Sequence, residues 1–298
     1  DEPIKIKGGE VVEFEVITTK HGPVISNVML ENENPSAVFS MQWTALEPTK
    51  ELQAVIGFNK ATNWEEFEEA LLDFNAPAQN FVFADKSGTI AYKANGNVPI
   101  RKKGNAELPV PGNSSEYGWL GYIPYDELPR VVNPEGGYVA TANNEVIDEN
   151  YPYHLSNIWA QPYRYERIVE LLESKEELTV QDMKDIQMDA KNLYAMEFLP
   201  NLLSTLKVSD LANEYKEALN ILEEWDYFDT VEQSAPLIFH RLMANLQESL
   251  FINEMPEDLY KLMPGKAQIL DEMLREAYAG ETVLWIEKRG GLEKFVTT

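Results

Sequence analysis

The sequence of 298 residues contains no cysteine. This absence excludes disulfide bonds, thiol nucleophiles and cysteine-ligated metal sites. Basic residues are also scarce, since 25 lysines and arginines stand against 50 aspartates and glutamates, which gives a net charge of −25. Such a surface repels phosphate backbones and anionic lipids, so we expect no nucleic-acid partner and no membrane partner. We interpret the acidity itself as a means of solubility.

Long apolar runs are missing as well. No stretch approaches the roughly 20 residues that a membrane-spanning helix needs, and no secretory signal pattern opens the chain. The first residues, Asp1-Glu2-Pro3, are typical of the interior of a longer protein. Hydrophobic residues nevertheless make up 44% of the chain, which is enough for a sizeable core.

Local motifs give no complete catalytic set. The histidines His21, His154 and His240 are far apart, and none belongs to a His-Glu-x-x-His pattern, so no zinc site is predicted. The segment 112–116 approaches a nucleophile elbow, but Glu116 stands where the final glycine belongs.

The first 160 residues carry mainly the alternating apolar and polar pattern of strands. Gly88 permits a positive φ in a hairpin turn. The elements predicted in order are a hairpin over 4–30, a strand over 39–46, a helix over 63–74 opened by a capping box at 62–65, a hairpin over 79–93, a mostly irregular excursion over 94–136 and a strand over 138–142.

From about residue 162 the pattern becomes helical. Strands followed by helices indicate an α+β protein, with a β-rich part over 1–160 and a mainly helical part over 161–298. The predicted helices begin near 162 and cover 180–188, 210–225, 235–252 and 266–279, and 282–287 is either a helix end or a strand.

The segment 137–144 (GYVATANN) ends in two amides, Asn143 and Asn144. Asparagines after a strand are often turn residues. The surrounding order of motifs gives this segment another meaning, because it closely resembles the β-chain of the penicillin acylases, which are N-terminal-nucleophile amide hydrolases. The motifs that carry the resemblance are 21–24 (HGPV), 79–85 (QNFVFAD), 88–92 (GTIAY), 108–112 (LPVPG), 119–125 (WLGYIPY), 133–134 (NP), 151–152 (YP), Trp159 and 163–168 (YRYERI).

The resemblance implies an αββα fold, of which this chain would form part, and a specific chemistry. In that family the β-chain begins with a serine whose Oγ attacks an amide carbonyl, and its own α-amino group serves as the base. A backbone N–H and an asparagine side chain hold the resulting oxyanion. Asn143 resembles this asparagine, with Asn144 as the alternative if the register differs by one. Arg164 resembles the family arginine that supports the asparagine and lies near the substrate carboxylate; its other reading is a surface residue at a helix start.

The nucleophile has no match, since residue 1 is Asp1 and no Ser-Asn-x-Trp segment occurs. We therefore expect an internal fragment that lacks the serine, the α-chain and the remainder of the β-chain, and that is inactive in isolation. Sheet edges exposed by such a truncation favour self-association of the fragment.

The resemblance also implies a small-molecule amide substrate, autocatalytic processing of a zymogen, and an extracellular or periplasmic location. No cofactor is required for the chemistry, and a structural calcium is an option in the full-length protein. Two alternatives stay open. One is an acyl-homoserine lactone acylase of the same family; the other is a non-catalytic binding or structural module that uses the aromatic residues Trp119, Tyr122, Tyr125 and Trp159.

Overall fold

The structure is a computed structural model that describes residues 1–26, 38–209, 211–252 and 254–298. The chain divides into two compact units, each with its own core. The first unit consists of residues 1–141 and 145–159, and the second of residues 142–144 and 160–298. No helix among the described residues is long and apolar enough to cross a membrane.

The first unit is built from short antiparallel strands. The longest pair, β5 and β6, lies in a three-stranded sheet of order β5-β6-β9, and its turn contains Gly88 at a φ of 97°. The predicted hairpin over 79–93 is therefore confirmed. The strands are β1 (Glu2–Lys5), β2 (Val11–Phe14), β3 (Thr18–Thr19), β4 (Gly22–Pro23), β5 (Gln79–Ala84), β6 (Ile90–Asn95), β7 (Pro99–Arg101), β8 (Trp119–Tyr122) and β9 (Arg130–Val132).

Two helices, α1 (Glu51–Lys60) and α2 (Trp64–Leu71), belong to the first unit. Trp64 and Leu71 lie on one face of α2 and are buried in the core beside the sheet. The helix is capped one residue later than predicted, because the Asn63 side chain accepts a hydrogen bond from the Glu66 N–H at 2.9 Å. The sequence did not indicate α1, since only Ala54 is buried and no apolar stripe marks a core-facing side.

Several strand predictions in this unit are wrong. Among the described residues, 39–46 contribute one bridge, from Ser40 to Val24, and then turn into a 3₁₀ helix at Thr44–Leu46. Residues 138–142 form no strand, because an extended segment becomes a strand only by pairing and none of the described strands pairs with it.

Two further expectations for the first unit are only partly met. The excursion over 94–136 is less irregular than expected, since it contains β7, β8 and β9. The hairpin expected over 4–30 is present as β1 and β2, and residues 27–30 of that prediction lie outside the described residues.

The second unit is helical around one large core. Its longest helices, α5 and α7, bury apolar residues at helical spacing, among them Leu199 and Phe239. The sequence did not indicate α5, because Pro200 stands in its interior, where proline usually breaks a helix. The helices are α3 (Tyr163–Glu173), α4 (Val180–Gln187), α5 (Leu193–Lys207), α6 (Asn213–Glu223), α7 (Ala235–Phe251), α8 (Glu257–Leu262), α9 (Lys266–Tyr278), α10 (Leu284–Glu287) and α11 (Leu292–Thr297).

The core position Leu199 offers a test of this packing. Leu199 is fully buried, so Leu199→Ala leaves a cavity and we expect it to lower the free energy of unfolding by about 2–5 kcal/mol. Leu237 on α7 is exposed, and Leu237→Ala should cost less than about 1 kcal/mol. Urea unfolding of both variants checks the packing, and equal losses would contradict it.

Candidate functional site

The turn that carries Asn143 is held by two hydrogen bonds, one to a side chain and one between backbone groups. Asn143 has a φ of 62°, a left-handed conformation that asparagine tolerates better than most residues. The Asn144 Oδ1 accepts a hydrogen bond from the Ala142 N–H at 3.0 Å. The Ala160 N–H donates to the Asn143 carbonyl at 2.9 Å. These two bonds define the direction in which the Asn143 side chain leaves the turn.

Arg164 fixes the orientation of the Asn143 amide. It lies in the first turn of α3, and its Nη2 donates to the Ala142 carbonyl at 2.6 Å and to the Asn143 Oδ1 at 3.0 Å. An arginine side chain has only donors, so the amide atom facing it must be the oxygen. The Nδ2 of Asn143 then lies on the other side, and no hydrogen bond from it is found within the described residues.

This arrangement presents two N–H donors at an exposed position. The guanidinium behind the amide polarises it, which strengthens donation by Nδ2 to a negatively charged oxygen. Chemically, the pair can hold an anion or a developing oxyanion, although it cannot act as a nucleophile or a base. Asn144 acts as a turn residue in this arrangement, as asparagines after an extended segment often do.

The helix that bears Arg164 is anchored one turn further on by Arg167. The Arg167 guanidinium donates from Nε and Nη2 to the two carboxylate oxygens of Asp189, both at 2.8 Å. These bonds hold the pKa of Asp189 below its usual range and raise the pKa of Arg167. Arg167 also pairs with the exposed Glu170 at 2.8 Å.

Two of the histidines, His21 and His240, take part in polar contacts. The Nε2 of His21 lies 2.9 Å from the Gly112 carbonyl, and the Nε2 of His240 lies 3.2 Å from Asp229. No group of three or more histidine, aspartate or glutamate side chains suited to a metal occurs in the described ranges. A structural calcium in the full-length protein stays a prediction.

Three of the aromatic residues of the alternative binding module make contacts of two kinds in the first unit. Trp119 and Tyr122 contact each other edge to face, with 6.0 Å between ring centroids. Tyr125 instead donates its hydroxyl to the Glu68 carbonyl at 2.6 Å, and the Lys93 ammonium lies over its ring. Both the ring and the hydroxyl of Tyr125 therefore already have partners within the first unit.

A cavity of about 730 Å³ lies in the first unit, beside Trp119. Trp119, Val110 and Phe39 form part of its mostly apolar wall, and Arg101 contributes a cation whose pKa burial lowers. A small ligand would fit this cavity, and the alternative of a binding module rests on it.

Comparison with known proteins identifies the family. The model of the penicillin amidase family matches residues 1–291, and the chain belongs to this family. It is 34% identical over 186 residues to penicillin acylase 2 proenzyme of Pseudomonas sp. (strain SE83), a match that covers 62% of this chain and 24% of that protein. It is 30% identical over 244 residues to acyl-homoserine lactone acylase QuiP of Pseudomonas fluorescens (strain Pf-5), covering 80% of this chain and 28% of that protein.

The fold agrees with this assignment. A thermostable penicillin G acylase from Alcaligenes faecalis matches with a TM-score of 0.68 and 23% identity, over 86% of this chain and 47% of that chain. The predicted α+β class and the resemblance to the penicillin acylases are therefore confirmed. The chain spans about a quarter of the length of the curated relatives it matches.

The ion pair between Arg167 and Asp189 predicts how the free energy of unfolding depends on pH. The depressed pKa of Asp189 stabilises the fold above the unfolded value of about 3.9, and this contribution is lost as the pH falls through the folded pKa. We expect Asp189→Asn to lower the free energy of unfolding by about 1–3 kcal/mol at pH 7, with a smaller difference from wild type below about pH 4.

Denaturant unfolding between pH 3 and pH 7 measures this difference. Glu170→Gln is the matched control, because it removes the exposed partner of the same arginine and should cost less than about 0.5 kcal/mol. A constant difference for Asp189→Asn across this pH range would contradict the assignment.

Proposed function

We propose that this chain carries the oxyanion-stabilising part of an amide hydrolase of the penicillin acylase type. The observation that supports the proposal is the contact of Arg164 with the Asn143 Oδ1, which directs the Asn143 Nδ2 outward. Donors fixed before the reaction stabilise charge as it develops, without the cost of reorientation.

The reaction follows from the family resemblance. A serine Oγ adds to the amide carbonyl of the substrate, its proton passes to the base, and the carbonyl π electrons move to the oxygen. Asn143 donates from Nδ2 to that oxyanion. Collapse of the tetrahedral intermediate breaks the C–N bond, the leaving amine takes the proton, and water then hydrolyses the acyl-enzyme.

The nucleophile is proposed to lie outside residues 1–298. Support comes from the extent of the match, because the chain spans only about a quarter of the curated relatives. On this proposal the whole protein is a zymogen that processes itself, acts outside the cytoplasm, and combines this chain with an α-chain and the rest of a β-chain. Intact mass and N-terminal sequencing of the protein from its source test this, and catalysis by residues 1–298 alone would refute it.

The substrate class has two candidates. The first is a linear side-chain amide of the penicillin type, and the second is an acyl-homoserine lactone. The second is favoured by the matches to QuiP proteins, which extend to 91% of this chain. Comparing kcat/KM for a phenylacetyl amide and for a long-chain acyl-homoserine lactone, with the protein from its source, distinguishes the two.

Substitution of Asn143 tests the proposed role directly. We expect Asn143→Ala to lower kcat by about 10²–10³-fold with KM little changed, because the donor acts mainly on the transition state. Asn220→Ala, at an exposed position of α6, is the control and should leave kcat unchanged. Steady-state kinetics of both variants decide the matter, and full activity of Asn143→Ala would eliminate this function.

A further inference from the structure

The segment 160–164 contacts the Asn143 residue at two points. Its first residue, Ala160, donates its N–H to the Asn143 carbonyl at 2.9 Å. Its last residue, Arg164, donates to the Asn143 Oδ1 at 3.0 Å. The position of both the backbone and the amide of Asn143 therefore depends on how firmly this segment is held.

A buried carboxylate holds the middle of the segment. Asp271 on α9 is 1% exposed, and its Oδ2 accepts a hydrogen bond from the Gln161 side-chain amide. Its Oδ1 accepts a hydrogen bond from the Tyr194 hydroxyl at 2.8 Å. Burial raises the pKa of Asp271, and the two donors counteract this.

A second polar group of the segment is fixed beside the first. The Tyr163 hydroxyl donates to Glu197 at 2.6 Å and accepts from Arg275 at 2.9 Å. Glu197 belongs to α5 and Arg275 to α9, so the segment is tied to both helices. In the part of the chain that the structure describes, Glu197, Arg275, Gln161 and Tyr194 are polar side chains that act on Asp271.

A buried carboxylate is a costly way to stabilise a core. Replacing buried polar or ionic groups with apolar residues is often neutral or stabilising, so such a group is weak evidence for stability alone. Asp271 instead fixes the positions of its two donors, because each of its carboxylate oxygens accepts one hydrogen bond. The donor from Gln161 stands between the two residues that contact Asn143.

We propose that Asp271 is a positioning residue for the Asn143 amide, acting through Gln161 and the segment 160–164. The inference rests on the proposed function of Asn143 as oxyanion donor. In this arrangement Asp271 touches no substrate. It sets the position of a donor whose displacement by a fraction of an ångström weakens the bond to the oxyanion.

The test uses the protein as its source expresses it, with two variants and a matched control. Asp271→Asn replaces one acceptor oxygen by a donor, and Gln161→Ala removes the link while leaving the carboxylate in place. The control is Tyr278→Phe, which removes another half-buried hydrogen bond of the same helix, to Thr205 at 3.1 Å, outside the segment 160–164. For each we measure Tm, kcat and KM separately, and the side-chain amide NMR resonances of Asn143, assigned by their loss in Asn143→Ala.

Both Asp271→Asn and Gln161→Ala are expected to lower kcat about tenfold or more, with KM changed by less than about twofold, and to shift the Asn143 amide resonances. Tyr278→Phe should lower Tm without either effect. In the double variant, Asp271→Asn should add little to the kcat loss of Gln161→Ala, because both act through one contact.

Unchanged kcat and unchanged Asn143 resonances in Gln161→Ala would overturn the inference, and so would equal effects in Tyr278→Phe. If Asp271→Asn does not fold, Gln161→Ala carries the test alone. Failure of the proposed function has a different signature, because Asn143→Ala would then keep its kcat while the resonance shifts still report the positioning.

Discussion

The contact between the Arg164 guanidinium and the Asn143 Oδ1 is the constraint on which the candidate site depends. A donor-only side chain determines which way an amide faces, so this one bond converts a surface asparagine into a directed pair of N–H donors. Without it, the left-handed turn at Asn143 would be ordinary turn chemistry. The contact also leaves the Asn143 Nδ2 pointing away from Arg164, and this is the geometry on which the proposed role as an oxyanion donor rests.

The helical unit supplies the rigidity that such a contact requires. The helices α5, α7 and α9 pack around a large apolar core. Where the segment 160–164 contacts α5 and α9, its side chains form hydrogen bonds with Glu197 and Asp271. Apolar packing stabilises the unit as a whole, whereas hydrogen bonds of fixed geometry set the position of individual groups. In the proposed function, the apolar core stabilises the helical unit, and the small hydrogen-bonded network orients the groups that position Asn143.

The sequence predicted the class of fold and several patterned elements, such as the hairpin over 79–93. It also singled out Asn143 and Arg164, which the structure brings into contact, while their catalytic role stays a prediction. It failed where tertiary context overrides local pattern. Helix α5 was not predicted because Pro200 lies inside it, and α1 was not predicted because it lacks an apolar stripe. Strand pairing was the other failure, since 138–142 has the composition of a strand and no described strand to pair with. Asp271 could not have been recognised, because its link to Gln161 spans 110 positions of the chain.

A crystal structure of the protein from its source with a bound analogue of the tetrahedral intermediate, such as a phosphonate, shows directly whether Asn143 holds the oxyanion. We expect the anionic oxygen of the analogue to lie about 2.7–3.1 Å from the Nδ2 of Asn143, with Arg164 still bonded to Oδ1. An oxygen held entirely by other groups, with the Asn143 amide turned away from it, would contradict the proposed role of Asn143.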